Sequence, residues 1–104
     1  MSLTVKTPAD LQAEAQARAK ASTTRAIDAH VEAQAKALHY NSSAHLASYV
    51  ASSVAEWAAE AQAFVAWRDS VWQAVIAMLA GAEASGEQPS VEDVLAALPE
   101  WPDA

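Results

Sequence analysis

Glycine and proline together supply only six of the 104 residues, and these few turn-formers constrain the chain more than any other feature. A chain with so few places to turn must be built from long elements. Thr7-Pro8-Ala9-Asp10 is a helix start: Thr7 can cap, Pro8 suits the first helical position, and Asp10 sits where a capping box places its acid. From there to Leu38 nothing interrupts a helix. Residues 12–21 alternate polar residues with alanine, a strand-like period. Ala, Gln, Glu, Arg and Lys are nevertheless good helix formers and poor strand formers, so helix is the expectation.

The pattern predicts an all-α chain, a long helical hairpin or small bundle of about four helices. Two are long, 8–38 and 54–84, and two are short, 44–52 and 91–98. Tyr40-Asn41-Ser42-Ser43 breaks the first helix and offers caps for the second. Ser53-Val54-Ala55-Glu56 reads as a capping box for the third. Gly86 ends the third, Ser90 caps the fourth, and Pro99 stops it before a tail anchored by Trp101.

Large apolar side chains decide which parts can build a core. Hydrophobic residues make up 53% of the chain, but much of that is alanine, which buries little area. In the first helix Ile27, Val31 and Leu38 share a face with Ala35 beside them, whereas Leu11 is the only large apolar residue of residues 8–25. Packing stabilises helices in proteins more than propensity does. The chain therefore divides into a helical arm, 1–25, and a helical core domain, 26–104. The arm is either a solvated helix end or an oligomerisation arm. In the third helix Trp57, Ala61, Phe64, Arg68, Val71, Val75, Met78 and Ala82 form one seam. Trp72, Ile76 and Leu79 widen it on one side and Trp67 on the other. A stripe this wide exceeds a two-helix seam, so this helix should be the centre of the fold. The surplus apolar surface predicts a homo-oligomer, most simply a dimer, with Leu11, Trp57, Phe64, Trp67 and Trp72 as candidate interface residues.

Net charge is −7 and unevenly spread. Residues 1–40 carry five basic against four acidic residues, a net of +1, and residues 41–104 carry Arg68 against nine carboxylates, a net of −8. An acidic domain repels phosphate, which argues against nucleic acid as a partner. The most apolar stretch, 71–80, is about half the length a bilayer requires, so no membrane partner is expected. Residues 1–21 show no signal-peptide core. There is no cysteine, which excludes disulfides and thiolate chemistry and fits a reducing compartment.

Catalytic patterns are sparse. His30, His39 and His45 are nine and six residues apart, unlike the three or four of a helical metal pair, so no metal or other cofactor is expected. Glu56 and Glu60 share a face, as an acid–base pair would, but also sit near a helix N-terminus, where negative charge is favourable. Ser42, Ser43, Ser52, Ser53 and Ser90 all lie at helix starts, where capping accounts for them. No nucleophile elbow or phosphate-binding glycine loop occurs. The expectation is a protein without enzymatic activity.

Arg68 is the one charge inside the aromatic stripe. Either its stem covers apolar surface while the head reaches water, or it is buried against a carboxylate. Pairing is the preferred reading, with Glu32 or Asp28 of the first helix ahead of Glu92 or Asp93 of the last. A buried pair would make Arg68→Ala cost about 3–5 kcal/mol.

The segments Tyr40-Asn41-Ser42, Ala47-Ser48-Tyr49 and above all Ala59-Glu60-Ala61-Gln62-Ala63-Phe64-Val65-Ala66-Trp67-Arg68-Asp69-Ser70-Val71-Trp72 resemble a family of small bacteriophage tail proteins. Similar stretches look like the C-terminal parts of phage tail-fibre and tail-fibre-assembly proteins. The resemblance spans residues 26–102, running on through Gln88-Pro89-Ser90-Val91-Glu92 to Leu98-Pro99-Glu100-Trp101-Pro102, with the tail compressed around Trp101. It implies a non-enzymatic tail-associated role, as structural component or fibre-assembly chaperone. The protein would then lie in the bacterial cytoplasm during assembly or in the virion tail, with tail or fibre proteins as partners. The alternative from another class is a small bacterial helical adaptor or regulator, such as a toxin–antitoxin partner.

Overall fold

A computed structural model describes residues 5–102 of the chain. The outermost four and two residues assigned above to the arm and core lie outside that range. Helix takes 73% of the structure, with no strand among the described residues. Four helices follow in order: α1 Pro8–Ala37, α2 Ser43–Ala47, α3 Ala55–Ser85 and α4 Val91–Ala96. The Lys20–Glu83 ion pair and the His30–Trp67 ring contact run α1 and α3 antiparallel. The short α2 lies against both long helices, and α4 lies against α1.

Local chemistry sets most boundaries. Thr7 and Asp10 form the expected capping box, with the Asp10 amide donating to Thr7 Oγ1 at 3.1 Å and the Thr7 amide to Asp10 Oδ2 at 3.0 Å. Those bonds, the amide's first, hold the Asp10 carboxyl below its ordinary value. Ser42 and Ser90 cap α2 and α4 through the amides of His45 and Asp93, both at 3.0 Å. Gly86, at φ +76°, closes α3 with its amide on the Ala82 carbonyl, a left-handed end that glycine adopts without strain.

Three boundaries depart from expectation. Ser53 does not cap α3: Val54 takes the cap position without a side-chain bond, and its amide donates to Ser52 Oγ at 3.0 Å. α2 stops at Ala47 rather than residue 52, because the amides of Tyr49, Val50 and Ser52 each turn back three residues instead of four. α4 stops at Ala96 rather than 98, with Ala97 and Leu98 in the same tighter pattern before Pro99.

The core joins Ile27, Val31 and Ala35 of α1, Leu46 of α2, Ala61, Phe64, Trp67, Val71 and Val75 of α3, Val94 of α4, and Leu98. Trp67, expected on a flank of the stripe, is only 5% exposed. Its Nε1–H donates to the Pro99 carbonyl at 3.0 Å, and its ring lies 5.7 Å from Trp101 and 5.9 Å from Phe64. The buried face of α3 is thus turned toward Trp67 and away from Arg68. In α1 burial begins at Thr23, and no residue from 8 to 22 is buried. The projecting helix gives extents of 61 × 35 × 19 Å and a radius of gyration of 18.1 Å, where a compact chain of this length reaches about 13 Å.

Trp67→Ala should destabilise by about 3–5 kcal/mol, and Trp67→Phe by about 1–3 kcal/mol, because the second keeps a ring but loses the bond to Pro99. Thermal melts measure the loss. Faster amide exchange at Leu98 and Trp101 in Trp67→Phe would show that the indole pins the tail.

Candidate functional site

The least ordinary surface lies where α1 stops. Its last turn closes with His39 at φ +73°, its amide on the Lys36 carbonyl and the Tyr40 amide on the Ala35 carbonyl. This is the hydrogen-bond pattern of a glycine-ended helix, made here by a residue with a Cβ, at a cost of about 1–2 kcal/mol. The reversal carries Tyr40 back toward α2 and leaves His39 at the rim of a recess.

Glu32 fixes the next step. Its carboxylate accepts from the Ser43 amide at 3.1 and 3.2 Å and from the Ser43 hydroxyl, tying the start of α2 to α1. The Ser43 hydroxyl, then its amide, hold the Glu32 carboxyl below the ordinary 4.5 against the opposing effect of burial, and the Lys36 charge adds a smaller lowering. Within α2, His45 Nδ1 accepts the Asn41 amide at 3.3 Å, so in the neutral ring the proton sits on Nε2. That nitrogen donates to the Tyr49 hydroxyl at 3.1 Å. Gln62 of α3 donates to the Val50 carbonyl at 3.0 Å and holds the following turn on α3.

These constraints bring four rings together. Tyr40 lies 5.8 Å from both His45 and Tyr49, His45 5.3 Å from Tyr49, and Tyr49 5.5 Å from Trp57, in tilted and edge-to-face arrangements. Glu56 and Glu60 line the same open recess from the first turns of α3. Burial first, then a hydrogen bond to Glu60 and its charge, raise the Tyr40 phenol above its ordinary value. Trp57 is 48% exposed, and Val50 and Val54, in the segment that leads into α3, are 38% and 40% exposed. Among the described residues neither Glu56 nor Glu60 has a basic partner within 4 Å. The recess therefore offers a ring-lined apolar rim next to two unneutralised carboxylates, which suits a cationic, partly apolar side chain.

The expected ion pair of Arg68 with Glu32 or Asp28 does not form. Arg68 Nη2 lies 3.1 Å from Asp69 Oδ1, its neighbour in sequence, and the side chain keeps 35% exposure. Asp28 is exposed, Glu32 is engaged by Ser43, and Glu92 and Asp93 are exposed as well. The cause is the rotation of α3 that buries Trp67 and lifts the Arg68 head to the surface. Two expected interface residues are also internal: Phe64 is fully buried and Trp67 nearly so, both spent on the chain's own core. Trp72 is half-buried, while Leu11 and Trp57 remain exposed at 53% and 48%.

No metal-holding group of three or more His, Cys, Asp or Glu residues occurs among the described residues, and none of their helices is long and apolar enough to cross a membrane. No family model, curated protein or solved structure matches this chain. The ring cluster was partly readable in advance, since His45 and Tyr49 are one helical turn apart, but Trp57 joins it only through the turn at residues 48–51.

Two substitutions test these placements. Arg68→Ala should cost under about 1 kcal/mol, as for a partly solvated pair, and a chemical-denaturation midpoint close to the parent's is the expected result. Glu32→Gln should cost about 1 kcal/mol near neutral pH. Because the folded state depresses the Glu32 pKa, its contribution is present above the ordinary glutamate range and is lost as pH falls through the lower folded value. The gap in melting temperature between parent and Glu32→Gln should therefore shrink in acid.

Proposed function

We propose that this chain is a non-enzymatic bacteriophage or prophage tail-associated protein that acts by protein–protein binding, as a structural tail component or a fibre-assembly chaperone. The observation that carries the binding part is the recess with its half-exposed Trp57 and two carboxylates that have no basic partner among the described residues. Exposed aromatic surface next to uncompensated charge is what recognition sites present. The helix projecting from the other end adds a second surface that its own chain leaves bare. The tail setting rests on the residue run from Ala59 to Trp72, which resembles phage tail proteins. In this reading the protein works in the host cytoplasm during assembly or in the virion tail, associating with itself and with tail or fibre proteins.

Affinity capture of the tagged protein from induced or infected cells, read by mass spectrometry, tests the setting. Tail or fibre proteins should be enriched, and Trp57→Ala should lower their yield. Capture of a toxin or another host regulator in their place would replace this reading with the adaptor alternative.

A further inference from the structure

The exposed arm and the recess are complementary, and one chain cannot bring its own pair together. On α1, Leu11 and Arg18 are seven residues apart, so they share a face about 10 Å in span, opposite the Ile27 face that enters the core. Leu11 is 53% exposed, and Arg18 is exposed with no carboxylate within 4 Å among the described residues. At the recess, the half-exposed Trp57 is followed one helical turn later by Glu60, with Glu56 beside it. The arm thus offers an apolar group and an unpaired cation, and the recess an exposed indole and two carboxylates with no basic partner among the described residues. The charges agree on a larger scale too: residues 1–40 carry +1 and residues 41–104 carry −8.

The intervening helix keeps the two apart. α1 runs without interruption from Pro8 to Ala37, and the recess begins at Leu38 and His39. Leu11 therefore stands about 40 Å, and Arg18 about 30 Å, from the recess of its own chain. Only a second molecule can supply the occupant.

We infer that the recess lined by Tyr40, Tyr49, Trp57, Glu56 and Glu60 receives the α1 arm of a second copy of this chain, with Leu11 on Trp57 and Arg18 on the carboxylates. The inference rests on the self-association named above and assigns its surfaces. It is a contact between two unlike patches, so each copy has one of each to offer.

Sedimentation velocity on purified full-length protein tests it with two variants, L11A/R18A for the arm and W57A/E60Q for the recess, and with E60Q alone as the milder recess change. Melting curves confirm that each is folded. The parent should associate beyond its 10.9 kDa monomer, more weakly as salt rises. Each double variant alone should associate at least about tenfold more weakly. Mixing the two should restore a 1:1 complex, since one supplies an intact recess and the other an intact arm. A parent that stays monomeric at high micromolar concentration would overturn both the self-association and this interface. A parent that associates while the variants do so equally, or a mixture that restores nothing, would overturn the interface alone.

Discussion

Trp67 is the side chain through which the separate parts of this molecule meet. α4 has six residues and α2 five, far below the length at which a helix holds itself in water. Both depend on what they pack against. For α4 and the tail that support is the indole, which takes the Pro99 carbonyl, stacks edge-on against Trp101 and touches Phe64 within α3. The ring of His30 from α1 lies 5.7 Å from it. A carbonyl at a proline stop, next to the buried Leu98, would otherwise carry a desolvation penalty with no partner. The indole N–H removes that penalty and fixes the register of the tail on α3 in one contact.

The demand for Trp67 inside accounts for the rest of α3. Turning that residue inward rotates the helix about its axis and moves Arg68, the next residue, to the edge. There its head meets Asp69 and water, so no carboxylate on α1 is needed to neutralise it. Glu32 is left free for Ser43, and that bond positions α2 and, through it, Tyr40, His45 and Tyr49. The ring-lined recess at one end of the molecule is thus a downstream consequence of how the middle of α3 is seated.

The parts legible in the sequence were those decided within a few residues. The Thr7–Asp10 box, the Ser42 and Ser90 caps and the Gly86 stop each depend on groups within a turn, and each forms. Ser53 carried the same local pattern as Thr7 and failed, because Ser52 took the Val54 amide and the incoming turn is held by Gln62 from α3. The ion pair of Arg68 failed for a related reason. A four-three pattern fixes which residues lie near a helix face but leaves its rotation uncertain by about half a residue's arc. With Trp67 and Arg68 adjacent, that half-arc decided which entered the core. Among the candidate interface residues, Phe64 and Trp67 were absorbed by the same rotation, while Leu11 and Trp57 lay outside its reach.

The recess was the least legible feature because its residues come from three elements and its geometry from a strained turn. Nothing in Leu38-His39-Tyr40 announces a left-handed residue, since the position would ordinarily be glycine. A glycine there would make the same turn without the strain but would leave no imidazole at the rim. Local strain of this kind persists only where surrounding contacts hold it, and here Glu32 on Ser43 and His45 on the Asn41 amide fix the segment that follows the turn. The same end of the molecule carries the half-exposed Trp57 and two unneutralised carboxylates. The far end carries the first turns of α1, good helix formers of which no residue from 8 to 22 is buried. Propensity, a capping box and the exposed Lys6–Glu14 and Lys20–Glu83 ion pairs hold those turns in the free chain, so any partner that covers them adds apolar packing where the chain itself supplies little.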